Sequence, residues 1–169
     1  MEEELITCKD CGLTYMMPYD RREHNAHHKE WERACEIYGC YLRPYRQRED
    51  EKCRLWPMTS KLEEMLDKSE GKEKERILSE LATVYDELFQ FYYERSVLGW
   101  VARYGLKTRH CSFNSYVALL LGQKHWKDDI IKRDEVYKRL VSIYGCIPGM
   151  KNGSSYFEAS EKCLLRKAA

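Results

Sequence analysis

Four side chains near the start of the chain constrain it most. Cys8 and Cys11 are separated by two residues, His24 and His28 by three, and twelve residues lie between the pairs. Cysteines at that spacing present thiolates from one tight turn, and histidines four positions apart share one face of a helix. Soft thiolates joined by imidazoles in a closed set of four favour a tetrahedral ion. One structural Zn2+ held by Cys8, Cys11, His24 and His28 is therefore expected. His27 points off the face shared by the other two histidines and reads as a neighbour of the site, with its replacement of His28 as fourth ligand left open.

The spacing C-x2-C-x12-H-x3-H resembles that of the two-cysteine, two-histidine zinc finger, whose aromatic core position, four residues after the second cysteine, is filled by Tyr15. The resemblance covers roughly the first quarter of the chain. It implies a short hairpin over residues 5 to 16 and then a helix, with Pro18 suited to the first helical turn. Arg21 stands where the family usually has leucine, which implies packing unlike that of an independent finger. In the family's docking geometry Met17, Asp20 and Glu23 would face the bases. A methionine has no donor code and carboxylates are repelled by phosphates, as are the nearby Glu2, Glu3 and Glu4, so sequence-specific DNA binding is not expected.

The helix does not stop at its second histidine. His24, His28, Trp31, Cys35 and Tyr38 continue at i, i+4, i+7, i+11 and i+14, so the ligand face runs into apolar side chains and predicts a finger docked on the rest of the protein. At 169 residues and 43% hydrophobic, the chain is long enough for one ordinary core plus a small module. The expected division is a finger with an extended helix at 1–39, a connecting segment at 40–58 and a helical body at 59–169. The fold class is mainly α, with the zinc finger docked on a bundle of about five helices.

Within that body Ser60 and Glu63 form a capping box for a short helix. The longest helix is predicted from about Lys72 to Tyr104, with Ile77, Leu81, Val84, Leu88, Phe91, Leu98 and Ala102 near heptad spacing and Gly105 as its stop. Further helices are predicted from a Ser112 cap through Leu121, at about 127–144 and at about 155–167. The two copies of IYGC, at 37–40 and 143–146, read as shared helix-stop chemistry. Cys35, Cys40, Cys53, Cys111, Cys146 and Cys163 lack framework spacing and read as free, mostly buried thiols. Phe89, Phe91, Tyr92 and Tyr93 wrap more than one face of the long helix, so it is either central to the body, the default reading, or exposes rings to a partner. Arg95 falls on the apolar stripe and needs a carboxylate partner if it is buried.

A formal net charge of +1 gives no global field toward nucleic acid or anionic lipid. The longest apolar run, Tyr116 to Gly122, is far too short for a membrane span, and a soluble cytoplasmic protein is expected. The best nucleic-acid candidate is the stretch YLRPYRQR, where Tyr41 and Tyr45 alternate with Arg43, Arg46 and Arg48. Glu49, Asp50 and Glu51 follow at once and cancel its charge. A second basic turn, Arg103, Lys107, Arg109 and His110, reads as a polar loop. The sequence HNAHH lacks the glutamate of a zinc protease, four protein ligands leave no position for water, and no nucleophile or phosphate-loop signature is present. No enzyme activity and no small-molecule substrate are expected.

As a whole, the helix MPYDRREHNAHHKEWERA and the tyrosine-rich body resemble small proteins of phages and mobile elements, some of which are anti-CRISPR proteins. That resemblance implies a bacterial host cell and a non-enzymatic inhibitor that binds a protein partner, the RNA-guided nuclease of a type II system. The alternative is a nucleic-acid-binding zinc-finger regulator acting through Arg43, Arg46, Arg48, Tyr41 and Tyr45.

Overall fold

Alternating side chains around the first cysteine pair produce a hairpin. In the computed structural model, which describes residues 3–38, 41–104 and 113–144, strand β1 (Glu4–Thr7) pairs antiparallel with β2 (Thr14–Met17). Ile6 stands opposite Tyr15 and Thr7 opposite Thr14, whose hydroxyls lie 2.9 Å apart. Helices follow: α1 (Arg21–Tyr38), α2 (Tyr45–Asp67), α3 (Gly71–Tyr104), α4 (Phe113–Gly122) and α5 (Asp134–Tyr144), with a π-helical segment at His125–Ile130 before α5. The described chain is mainly α, as the sequence predicts. The expected helix at 155–167, the Gly105 stop, the Ser112 cap, Lys107, Arg109 and His110, and the second halves of both IYGC copies lie outside the described residues.

The chain forms two compact units, Met1–Pro57 with Phe91–Arg109 and Met58–Gln90 with His110–Ala169. In the first, Leu42, Leu55, Phe91, Val97 and Val101 are buried. The heptad reading holds for Ile77, Leu81, Val84, Leu88 and Phe91, all buried, and fails beyond them, where Leu98 is half-buried and Ala102 exposed. Val97 and Val101 are buried there instead, roughly 80–120° round the helix from Phe91 at 100° per residue, so burial passes to another face. Phe91 is buried on the side of α3 opposite to Phe89 and Tyr93, so more than one face of the helix is covered.

In the second unit Leu88, Phe89, Trp126, Ile131 and Leu140 are among the buried side chains, and Phe89 packs against both Trp126 and Tyr144. Two buried tyrosines carry their hydroxyls to backbone acceptors: Tyr137 donates to the Leu121 carbonyl at 2.6 Å and Tyr85 to that of Ile130 at 3.2 Å. Burial pushes the Tyr85 phenol well above its ordinary range, with Glu63 adding to the effect. The predicted helix at 127–144 is broken. Trp126 turns inward, its carbonyl accepts from Ile131 N at 2.8 Å in π geometry, and α5 starts afresh at Asp134 with two acids in its first turn.

The other departures concern α2 and the buried charges. The stretch read as a connection is helical from Tyr45, the capping box at Ser60 starts nothing, and Pro57 lies inside the helix. Proline there removes the hydrogen bond to the carbonyl four residues back, but Pro57 and Cys53 are both exposed, so water can satisfy that carbonyl. The acids after the arginines are used along the helix, pairing Glu49 with Lys52, Asp50 with Arg46 and Glu51 with Arg54. Arg95 is exposed, and the neighbouring Glu94 is the buried charge instead, at 4% exposure. Of the thiols outside the ligand set, Cys35 is half-buried and Cys53 is exposed, so neither is buried as expected, and Cys40, Cys111, Cys146 and Cys163 lie outside the described residues.

Candidate metal centre

The turn between β1 and β2 is built for two inward thiols. Cys8 N donates to the Leu13 carbonyl and Gly12 N to the Cys8 carbonyl, each at 2.9 Å, which curls the chain around Cys8 and Cys11. From α1, His24 and His28 reach the same point one turn apart. The Cys8 Sγ to His28 Nε2 distance is 3.3 Å, Cys11 Sγ to His24 Nε2 is 3.4 Å, and the two Nε2 atoms are 3.2 Å apart. All four ligand atoms lie within 4.8 Å of one another. A tetrahedron with metal–sulfur bonds near 2.3 Å and metal–nitrogen bonds near 2.05 Å has edges of about 3.6 Å for S–N and about 3.3 Å for N–N. These three separations lie within about 0.3 Å of those edges, so the four side chains are positioned to bind one metal ion. His27 stands outside the cluster, with its ring centroid 6.4 Å from that of His28.

The surroundings favour the ligating, neutral form of His24. Burial, then the proximity of His28, pulls the His24 imidazole below its ordinary value and keeps it neutral. Burial also pushes the Cys11 thiol up, so a metal must displace its proton, which makes affinity fall at lower pH. Tyr15 stacks on the His24 ring at 4.0 Å and 11°, fixing the imidazole plane from the strand side.

The same face then joins the rest of the first unit. His28 meets Trp31 edge to face, Trp31 Nε1 donates to the Leu42 carbonyl at 2.9 Å, and Cys35 Sγ accepts from Leu42 N at 3.4 Å. On the other side Arg46 N donates to the Cys11 carbonyl at 3.3 Å, so the N-terminus of α2 grips the cysteine turn. Gly12 makes that approach possible. Its φ is +74°, and a Cβ there would lie 2.3 Å from Cβ of Arg46. Gly12→Ala is expected to cost about 1–3 kcal/mol through backbone strain and overpacking, read as a lower urea midpoint with unchanged slope.

The five residues of the arginine-tyrosine stretch do not act as one surface. Arg43 donates to Glu94 through its backbone N at 3.2 Å and through Nε at 3.0 Å, and Arg48 is buried with its Nε on the Arg43 carbonyl at 3.1 Å. Burial pulls the Arg48 guanidinium down from its ordinary value and Glu94 opposes this. Arg46 is exposed beside Asp50, Tyr45 is exposed, and Tyr41 is 63% exposed with its edge on Trp31. Two of the three guanidiniums thus serve the fold. Glu94 and Gly12 are the residues that sequence reasoning missed; a glycine directly after Cys11 was the available signal for the second, and nothing local marked the first.

In comparisons with known proteins the chain matches no family model, no curated protein and no solved structure, so its own residues carry the assignment. Among the described residues no helix is long and apolar enough to cross a membrane.

Proposed function

We propose that the chain is a non-enzymatic binding protein whose N-terminal hairpin and α1 are held together by one structural Zn2+. The convergence of Cys8, Cys11, His24 and His28 into a single closed set carries this reading. Zinc bound there supplies cross-linking free energy to the fold. With four protein ligands it offers no open position for a substrate or an activated water, which is the geometry of structural sites. The chain's own residues do the rest: Tyr15 and Trp31 orient the histidine face, and Arg46 holds the cysteine turn.

A protein partner fits this reading better than a nucleic acid, because the net charge is +1 and Arg43 and Arg48 are committed to the interior. The resemblance to anti-CRISPR proteins makes the effector nuclease of a type II system the first candidate. The test is metal analysis of the purified protein alongside its capture by that nuclease, with and without guide RNA. One zinc per chain and stoichiometric capture independent of the guide support the proposal. Absence of zinc from protein purified without chelator refutes the metal assignment, and absence of capture refutes the candidate partner.

A further inference from the structure

The two edges of the hairpin differ. Cys8 N donates to the Leu13 carbonyl, which makes 8 and 13 a hydrogen-bonded pair. By the antiparallel alternation Ile6 with Tyr15 and Glu4 with Met17 are hydrogen-bonded too, while Leu5 with Met16 and Thr7 with Thr14 turn their backbone groups outward. On the β2 side the outward groups of Met16 are closed: its N–H donates to Asp20 Oδ2 at 3.0 Å and its carbonyl accepts from Asp20 N at 2.8 Å. On the β1 side the outward N–H and C=O of Leu5 and Thr7 have no partner among the described residues. Neither a proline nor a bulge interrupts β1, so two of the common protections of an edge are missing. Leu5, on the same face as Met16, is 69% exposed, more than any other large hydrophobic side chain described. The four metal ligands, Tyr15 on His24 and Arg46 on the cysteine turn hold this edge in place before anything binds.

We propose that the β1 edge takes up an extended segment of a protein partner as a third strand, with an apolar side chain beside Leu5 and basic ones toward Glu3 and Glu4. The inference rests on the reading of the chain as a protein-binding protein and names the surface and the partner's chemistry. Donor and acceptor pairs repeated at every second residue are matched by another extended backbone, which supplies affinity while its alternate side chains supply specificity. Charge then selects among extended segments. Residues 3–17 carry Glu3, Glu4 and Asp10 against Lys9 alone, on a chain whose formal net charge is +1. Arg21 and Arg22 follow β2 in the chain and, among the described residues, form no ion pair with either glutamate. A second copy of the chain would bring the same acidic stretch to the edge, and a nucleic-acid backbone would bring phosphates to the same carboxylates, so both fit less well than a basic segment.

The test titrates isotope-labelled, zinc-loaded full-length protein with a short acetylated and amidated peptide of alternating lysine and valine, followed by NMR. Saturable amide shifts confined to residues 3–9 and 14–17 are expected. The same peptide N-methylated at every residue keeps its charge and apolar side chains but has no backbone donor, and should bind at least about tenfold more weakly. The matching glutamate-valine peptide should be weakened as much by its charge. Leu5→Pro removes one outward N–H and the apolar contact while leaving the bonds to β2 intact, so it should weaken the lysine-valine peptide at least about tenfold with zinc retained. Equal binding by the N-methylated peptide or by Leu5→Pro, or shifts scattered over acidic residues throughout the chain, would overturn the proposal. So would dimerisation of the free protein through the same amides, which would assign the edge to a second copy. If Leu5→Pro loses zinc, the N-methylated peptide decides alone, because it leaves the protein unchanged. Zinc content is read in every sample, so a failed titration of zinc-loaded protein counts against the edge alone, and normal titration of zinc-free protein counts against the metal assignment alone. Normal titration without capture by the nuclease counts against that candidate partner alone.

Discussion

Cys8→Ser should remove the metal and the order of the hairpin end in one step. Its Sγ is 3.3 Å from Nε2 of His28, and a hydroxyl in its place is a poor ligand for a soft site. Metal binding in such a site is folding free energy, and the first unit has little else to hold the hairpin. Leu5 is 69% exposed, Ile6 and Tyr15 are only half-buried, and the two strands are four residues each. A two-stranded hairpin of that kind is marginal by itself in water. The expected loss is on the order of 4–5 kcal/mol, with zinc content and melting temperature falling together in Cys8→Ser and His28→Ala. His27→Ala should change neither, because its ring lies outside the ligand set. Full zinc retention in Cys8→Ser would end the four-ligand assignment, and loss of zinc in His27→Ala with retention in His28→Ala would exchange the two histidines.

Glu94→Ala should be almost as damaging, at about 3–5 kcal/mol, because it takes the carboxylate from the half-buried Arg43 guanidinium and from the field of the buried Arg48. Glu94 accepts from both the backbone and the side chain of Arg43, and Arg48 lies buried beside the same network through the Arg43 carbonyl. One Arg43 atom, Nη2, is already buried with no hydrogen-bond partner, so the site has no slack to absorb a further loss. Arg95→Ala, one residue along, should stay within about 0.5 kcal/mol since that side chain is exposed. Chemical denaturation of the two variants side by side checks the contrast. Comparable midpoints for both would show that the buried network contributes little to stability.

The metal centre was legible because its information is local. Cysteine spacing fixes a turn, histidine spacing fixes a helix face, and the aromatic at Tyr15 falls into place four residues after Cys11. The long helix, thirty-four residues, was legible for a similar reason, since its apolar period holds from Ile77 to Phe91. Boundaries that depend on competing local signals were not. Pro57 and the Ser60–Glu63 box both argue for a helix start, yet α2 passes through them, because burial of Leu55, Leu62 and Leu66 along the same helix outweighs one missing hydrogen bond on its wet side. The helix predicted at 127–144 gave way likewise to the burial of Trp126.

By itself, then, the sequence determined the ligand set, the hairpin and helix that carry it, and the helical class of the body, all of which follow from the chemistry of residues near one another in the chain. Only the tertiary structure decided which charges are buried. Arg43 and Glu94 are fifty-one residues apart and nothing in either neighbourhood marks them as partners, whereas Arg95 looks buried by period and is not. The same holds for Gly12 against Arg46. A salt bridge and a steric approach are properties of what lies opposite a side chain in space, and periodicity along one helix specifies only which way that side chain faces.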